Sequence, residues 1–159
     1  MTALAEFCRW LQNQPWALAL GGSLWAFPYV QLIHYTGLSI WLGTTIMTDL
    51  RFLELVRRNE NAAQFARRLV PLNWTGLGIV VIGGFLLFSG NAETYFLNPA
   101  FRIKFPLLLF GIAYHGYLQV KEKKWGLSDP IPGIAKFACF FEILIWLSVV
   151  TAATRIPNN

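Results

Sequence analysis

Charge is what this chain has least of. Only 13% of its 159 residues are Asp, Glu, Lys or Arg, against roughly 25% in a soluble domain. Histidine, cysteine and methionine occur twice each. The cysteines, Cys8 and Cys139, show no CxxC or other ligand spacing, so neither a disulfide framework nor a zinc site is expected. Each reads as a small buried or interfacial hydrophobe. P-loop, GxGxxG, GxSxG and HExxH patterns are missing. Two histidines and one carboxylate within apolar sequence are too few groups for hydrolytic or multi-metal chemistry, and no independent enzyme activity is expected. No basic segment precedes the first strongly apolar run near Trp16, so no cleavable leader is expected either.

Apolar sequence takes the place of charge. Hydrophobic residues make up 55% of the chain, and the mean hydropathy is +0.47. Four runs approach the length needed to cross a hydrocarbon core, about 20 residues: 27–48, 71–90, 105–120 and 134–153. The expected fold is an all-α integral membrane protein, a four-transmembrane-helix bundle over 27–153. An amphipathic, interfacial N-terminal segment over 1–26 precedes it. There Leu4, Phe7, Cys8 and Leu11 follow the helical i, i+3, i+4, i+7 spacing, and Trp10, Trp16 and Trp25 suit a membrane interface. The stretch 16–27 is too short to span and is expected to dip or fold back. Segment 53–69 reads as helical extensions broken near residues 59–61.

The net charge of +5 comes from 13 basic and 8 acidic residues. Arg51, Arg57, Arg58, Arg67 and Arg68 lie between the first two spans. Lys121, Lys123, Lys124 and Lys136 lie between or beside the last two. In a four-span chain both connections fall on one side, which the positive-inside rule makes cytoplasmic. The expected location is the bacterial inner membrane, multi-pass, with both termini outside. The basic residues thus read as topology signals and contacts to anionic lipid, and no nucleic-acid partner is expected.

Ionisable groups inside a membrane default to functional candidates. Here they are His34, His115 and Glu142; Asp49 reads instead as one half of a boundary ion pair with Arg51. Paired histidines on two membrane helices suit the axial ligands of haem b, since neutral imidazole donates a lone pair to iron. Gly37 beside His34, Gly111 near His115, and Trp41 would line such a site. Counting from the span centres places His34 and His115 about 8–10 Å apart in depth, so a shared iron requires displaced or tilted helices. Three arrangements stay open: one haem held by both histidines, a separate site for each, or two hydrogen-bonded histidines within the bundle. Spans three and four share a short connection, which makes a His115–Glu142 hydrogen bond easy. Glu142 would then orient the histidine or form half of a proton path. Gly76, Gly83 and Gly90 recur every seven residues on one face, for a close helix contact or for a flat cofactor. Outside, Arg102 and Lys104 would contact lipid headgroups, a haem propionate, a quinone or a periplasmic partner.

The run 34-HYTGLSIWLGTTIMTDLRFL-53, with His34, Gly37, Asp49, Leu50 and Arg51, resembles the start of small bacterial four-helix membrane proteins of uncharacterised families. The stretch 95-YFLNPAFRIK-104 is similar to theirs as well. More distantly, His34, Gly37, Trp41 and Gly43 resemble the pattern of the CopD copper-resistance membrane domain. Four spans with histidines also resemble cytochrome b561-type proteins. The last resemblance implies haem b and a quinone or electron-transfer role. The expected function is a small b-type haem or electron-transfer module, an accessory or anchor subunit among other membrane or periplasmic subunits. The alternative is a non-haem helper: a copper- or ion-handling membrane protein, or a structural scaffold.

Overall fold

In an apolar solvent the backbone has no water to bond, so each segment must satisfy its own N–H and C=O groups, and helices do this. A computed structural model describes residues 3–154, all-helical and without a strand among them. Seven helices follow in order: α1 Ala3–Gln12, α2 Pro15–Gly21, α3 Ala26–Phe52, α4 Ala62–Ser89, α5 Ala92–Leu97, α6 Pro99–Trp125 and α7 Gly133–Ala153. Asparagine side chains cap the starts of two of them. Asn61 Oδ1 accepts the Gln64 N–H at 3.1 Å and starts α4. Asn98 Oδ1 accepts the Ala100 N–H at 2.8 Å, with Pro99 as the first helical residue of α6.

The α4 and α7 helices are each long and apolar enough to cross a membrane. A third such element exists if α2 and α3, bent by 86° at their break, count as one span. The α6 helix falls outside this set. Its 27 residues include the expected run 105–120, but also Arg102, Lys104 and the 121-KEKK-124 cluster. The break after α2 lies within 16–27, where the sequence suggested a fold-back.

Four long helices close a ring, each touching the next: α3 on α4, α4 on α6, α6 on α7, and α7 on α3. The α3 and α6 helices face each other across the diagonal through side chains. Glycine permits the closest approach. A Cβ on Gly76 would lie 2.8 Å from the Trp41 amide nitrogen, and one on Gly37 would lie 2.5 Å from Ile79 Cγ2. On the same face, a Cβ on Gly83 would lie 2.9 Å from His34 Cβ, and the Gly90 carbonyl presses on Gly21. The seven-residue glycine stripe is therefore filled by the backbones and side chains of α2 and α3.

Three apolar clusters run along the ring. At the basic end, Phe52, Ala62, Ala66, Ile131, Ala135 and Cys139 pack together. The middle holds Trp41, Leu77, Val80, Ile145, Trp146 and Val149. At the opposite end, Cys8 and Leu11 of α1 cover Ala92, while Arg9 pairs with Glu93 at 2.6 Å. The α1 face read from spacing is thus divided: Cys8 and Leu11 face protein, whereas Leu4 and Phe7 are exposed. Large apolar side chains also point outward along the ring. Ile33, Ile82, Ile103 and Phe137 are each more than half exposed, a pattern compatible with a surface that faces lipid.

Candidate functional site

Helical periodicity delivers polar side chains to one place inside the ring, toward its basic end. The α6 helix presents His115, Gln119 and Glu122 at i, i+4 and i+7. Cys139, Glu142 and Trp146 come from α7 at i, i+3 and i+7, Thr44, Thr45 and Asp49 from α3, and Asn73 from α4. Asp49, Asn73, His115, Glu122, Cys139 and Glu142 are all buried. Buried polar groups are costly unless bonded, so their partners define the site.

Asn73 is the hub. Its Nδ2 donates to the Trp41 carbonyl at 3.3 Å and to the hydroxyl oxygens of Thr44 and Thr45 at 2.9 Å each. A carbonyl accepts only, so Nδ2 must face α3 and Oδ1 must face α6. Gln119 is oriented in the same way: its Oε1 accepts the Trp74 indole N–H at 2.9 Å, and its Nε2 donates to Asn73 Oδ1 at 3.1 Å. His115 Nε2 lies 2.9 Å from Asn73 Oδ1, and against an acceptor that nitrogen must carry hydrogen. The 3.0 Å approach of Gln119 Nε2 to His115 Nε2 then sets two donors side by side, both directed at Asn73 Oδ1.

The other ring nitrogen, Nδ1, lies 2.7 Å from Glu142 Oε1, the contact that the short connection between α6 and α7 favours. Trp146 Nε1 donates to the same oxygen at 3.2 Å. With Nε2 protonated, one further proton lies between Nδ1 and Glu142. The pair is either imidazole with a carboxylic acid or imidazolium with a carboxylate, and its net charge is zero in both forms. The Trp41 ring stands edge-on to His115, with centroids 6.1 Å apart, and to Trp146 at 4.4 Å. Gly111 leaves room for Trp146, since a Cβ there would lie 2.9 Å from the indole edge.

Asp49 is different. It is 1% exposed, and neither carboxylate oxygen has a donor in hydrogen-bond geometry; the Cys139 thiol and the Glu142 carboxyl are its polar neighbours. The ion pair with Arg51 read from the sequence is absent, because the two side chains diverge. Arg51 Nε donates to the Glu60 carbonyl at 3.0 Å and Nη2 donates to the same oxygen. Arg51 therefore fastens the 53–61 connection instead of neutralising Asp49. The reason is helical: residues 49 and 51 are two apart, so they leave α3 on different faces. Oxygen and sulfur atoms of Asp49, Glu122 and Cys139 all lie within 4.8 Å of one another. Among the described residues, no Lys or Arg side chain pairs with Asp49, Glu122 or Glu142. A cavity adjoins them, with about 10 Å³ open to the centre of a water molecule, room for a single water. Asp49, Asn73, His115, Gln119, Glu122 and Glu142 line it.

The chain matches no family model, no curated protein and no solved structure.

His34 lies elsewhere. It is half-buried against α4, with Nδ1 donating to the Val80 carbonyl at 3.0 Å and its ring beside Gly83 and Gly84. Along α4, the partners of His34 and His115 are 7 to 11 residues apart, about 10–16 Å. Two nitrogens on one iron would be only about 4 Å apart. His115 also has no free lone pair, since Nε2 donates to Asn73 and Nδ1 is bonded to Glu142. A haem held by His34 and His115 together does not fit these residues. Gly37 is filled by Ile79, Gly111 by Trp146, and Trp41 is packed between aromatic rings, so none of the three opens a slot for a porphyrin. Lys104 is near enough to His34 to interact with it electrostatically, while Arg102 is exposed on the first turns of α6.

Sequence reading passed over Asn73, Gln119 and Glu122 and assigned Asp49 another role. A signal existed. Glu122 follows His115 by seven residues, and Cys139 precedes Glu142 by three, so both pairs share a helix face.

Proposed function

We propose that this chain is a four-span inner-membrane protein that binds and handles a cation at a buried acidic centre on its cytoplasmic side. It belongs with ion-handling helper proteins, and α6 serves as the fourth span with its charged ends at the interfaces. The nine basic residues at one end support that orientation, with both termini outside, and α1 lies along the outer interface. One observation carries the reading: the Asp49 carboxyl is buried, lacks a donor in hydrogen-bond geometry, and stands beside Glu122 at a water-sized cavity. Because His115 and Glu142 cancel each other's charge, Asp49 and Glu122 have no positive counterpart among the described residues. Buried uncompensated carboxylates are strongly unfavourable, so they are expected to take up protons or a metal cation. The same side chains give a poor site for an anion or for hydride chemistry.

The test is thermal unfolding in mild detergent, followed by tryptophan fluorescence. It compares wild type with Asp49→Asn across a panel of mono- and divalent cations and across pH. A bound cation at about 100 times its Kd stabilises by ~2.7 kcal/mol. At least one cation, or the proton, is expected to shift wild type and to lose that effect in Asp49→Asn. Identical responses of the two proteins under every condition would refute the proposal.

A further inference from the structure

We infer that Asp49, Glu122 and Cys139 form a three-ligand site for a borderline transition-metal dication of the Zn²⁺ and Co²⁺ class. The inference rests on the acidic-centre reading and specifies its ligand. Three different helices each deliver one donor atom, and the three atoms converge within 4.8 Å. Four-coordinate dications hold sulfur at about 2.3 Å and carboxylate oxygen at about 2.0–2.2 Å, which sets ligand atoms about 3.3–3.6 Å apart. Closing that difference takes side-chain rotation of the order of 1 Å. Bundle interiors build metal sites in this way, from residues on facing helices.

The second observation is independent of the clustering. Both Asp49 oxygens are buried without a donor in hydrogen-bond geometry, and Trp41 Nε1 and Arg51 Nη1 are likewise unpartnered, whereas both ring nitrogens of His115 are engaged. A carboxyl that is 1% exposed and left open beside a cavity has the form of an unfilled ligand. Charge is consistent with a dication. With the His115–Glu142 pair neutral, two carboxylates and the Cys139 thiolate around one dication leave a single net negative charge, or none where one carboxyl keeps its proton. Sulfur sets the class. Magnesium and calcium take oxygen ligands, whereas Cu(I) prefers several thiolates or thioethers. Two oxygens and one sulfur suit Zn²⁺, Co²⁺ and Fe²⁺. The adjoining cavity would hold a water as the fourth ligand, within the walls that carry Glu142 and His115. Binding is balanced in protons: the Cys139 thiol and any protonated carboxyl release theirs to bulk water as the ion enters. An open fourth position makes the ion exchangeable, as a handling protein needs.

The full-length protein, purified in mild detergent and stripped with a chelator, is titrated with Co²⁺. The expected result is a near-ultraviolet thiolate-to-cobalt charge-transfer band with visible bands of a four-coordinate ion, and stoichiometric displacement by Zn²⁺. Cys139→Ser is expected to lose the charge-transfer band and to weaken binding by about tenfold or more. Cys8→Ser, altered at the far end of the molecule, is expected to keep both. If Asp49→Asn does not fold, the two cysteine variants still decide the matter. A folded wild type without the band, or a band that survives in Cys139→Ser, overturns the site. If only Mg²⁺, Ca²⁺, monovalent ions or protons act through Asp49, the thiolate site is overturned and the acidic centre stands. If no cation acts through Asp49, both are overturned.

Discussion

Replacing Asn73 by alanine tests the site's central joint. Asn73 is 3% exposed and joins α3 to α6 through contacts on both ends of its amide. These losses are unequal. Thr44 keeps its bonds to the Ile40 and Trp41 carbonyls, so the α3 side loses little. On the α6 side, His115 Nε2–H is left buried without an acceptor, which costs ~1–3 kcal/mol. Truncating a packed side chain in a core that cannot fully close adds about 1 kcal/mol. The expected loss is therefore ~2–4 kcal/mol, at the lower end if a water from the adjoining cavity takes the N–H. Equilibrium unfolding in mixed detergent with tryptophan fluorescence reads it, and a double-mutant cycle with His115→Ala isolates the joint. Direct contacts of this kind couple by about 0.5–3 kcal/mol. A cost below ~0.5 kcal/mol together with additive single variants would refute the derived proton arrangement.

Other measurements reach the remaining features. Gly76→Ala is expected to destabilise by ~1–3 kcal/mol, since its Cβ would meet the Trp41 backbone nitrogen at 2.8 Å. Gly43→Ala, with nothing within 4 Å, should be neutral or stabilising by up to ~1 kcal/mol in the same assay. A reduced-minus-oxidised spectrum of protein expressed with added haem should lack a b-type band that depends on both His34 and His115; a band lost in each alanine variant would overturn the fit argument. Glu54 is held below its ordinary pKa by its hydrogen bond to Lys136. That contribution is present above the unfolded value of 4.5 and vanishes as pH falls through the lower folded value. Wild type and Lys136→Met should therefore differ in stability at neutral pH and converge in acid, which a pH series of unfolding midpoints would show. For topology, single cysteines introduced as Thr94→Cys and Asn59→Cys in a background lacking Cys8 and Cys139 should label oppositely. A membrane-impermeant maleimide should reach the first in intact spheroplasts and the second only after permeabilisation.

Much of the helical layout could be read from hydropathy, because apolar runs and their flanking charges are local properties. The contact of His115 with Glu142 could also be anticipated, since it follows from a short connection between two antiparallel helices. Asn73 could not. It is one polar residue in 71-PLNWTGLGIV-80, and its role depends on which helices face it across the ring. Glu122 was hidden by its neighbours: within 121-KEKK-124 it reads as surface charge, yet it turns inward while the lysines turn out. Asp49 was misassigned because closeness in sequence suggested Arg51, whereas the helix turns the two apart. In each case the missing information was the identity of the facing helix, which composition and period do not contain.

The backbone contact at Gly76 also has a mechanical consequence. At Gly76, helices α3 and α4 meet main chain to main chain, so neither can shift there unless the other gives way. By contrast, α6 meets α4 in this region through amide and ring side chains, Trp74 to Gln119 and His115 to Asn73. Such contacts can part and re-form without bending a helix. If the proposed centre exchanges its cation, α6 is the helix that would part from the α3–α4 pair, and Asn73 is the joint that would have to break.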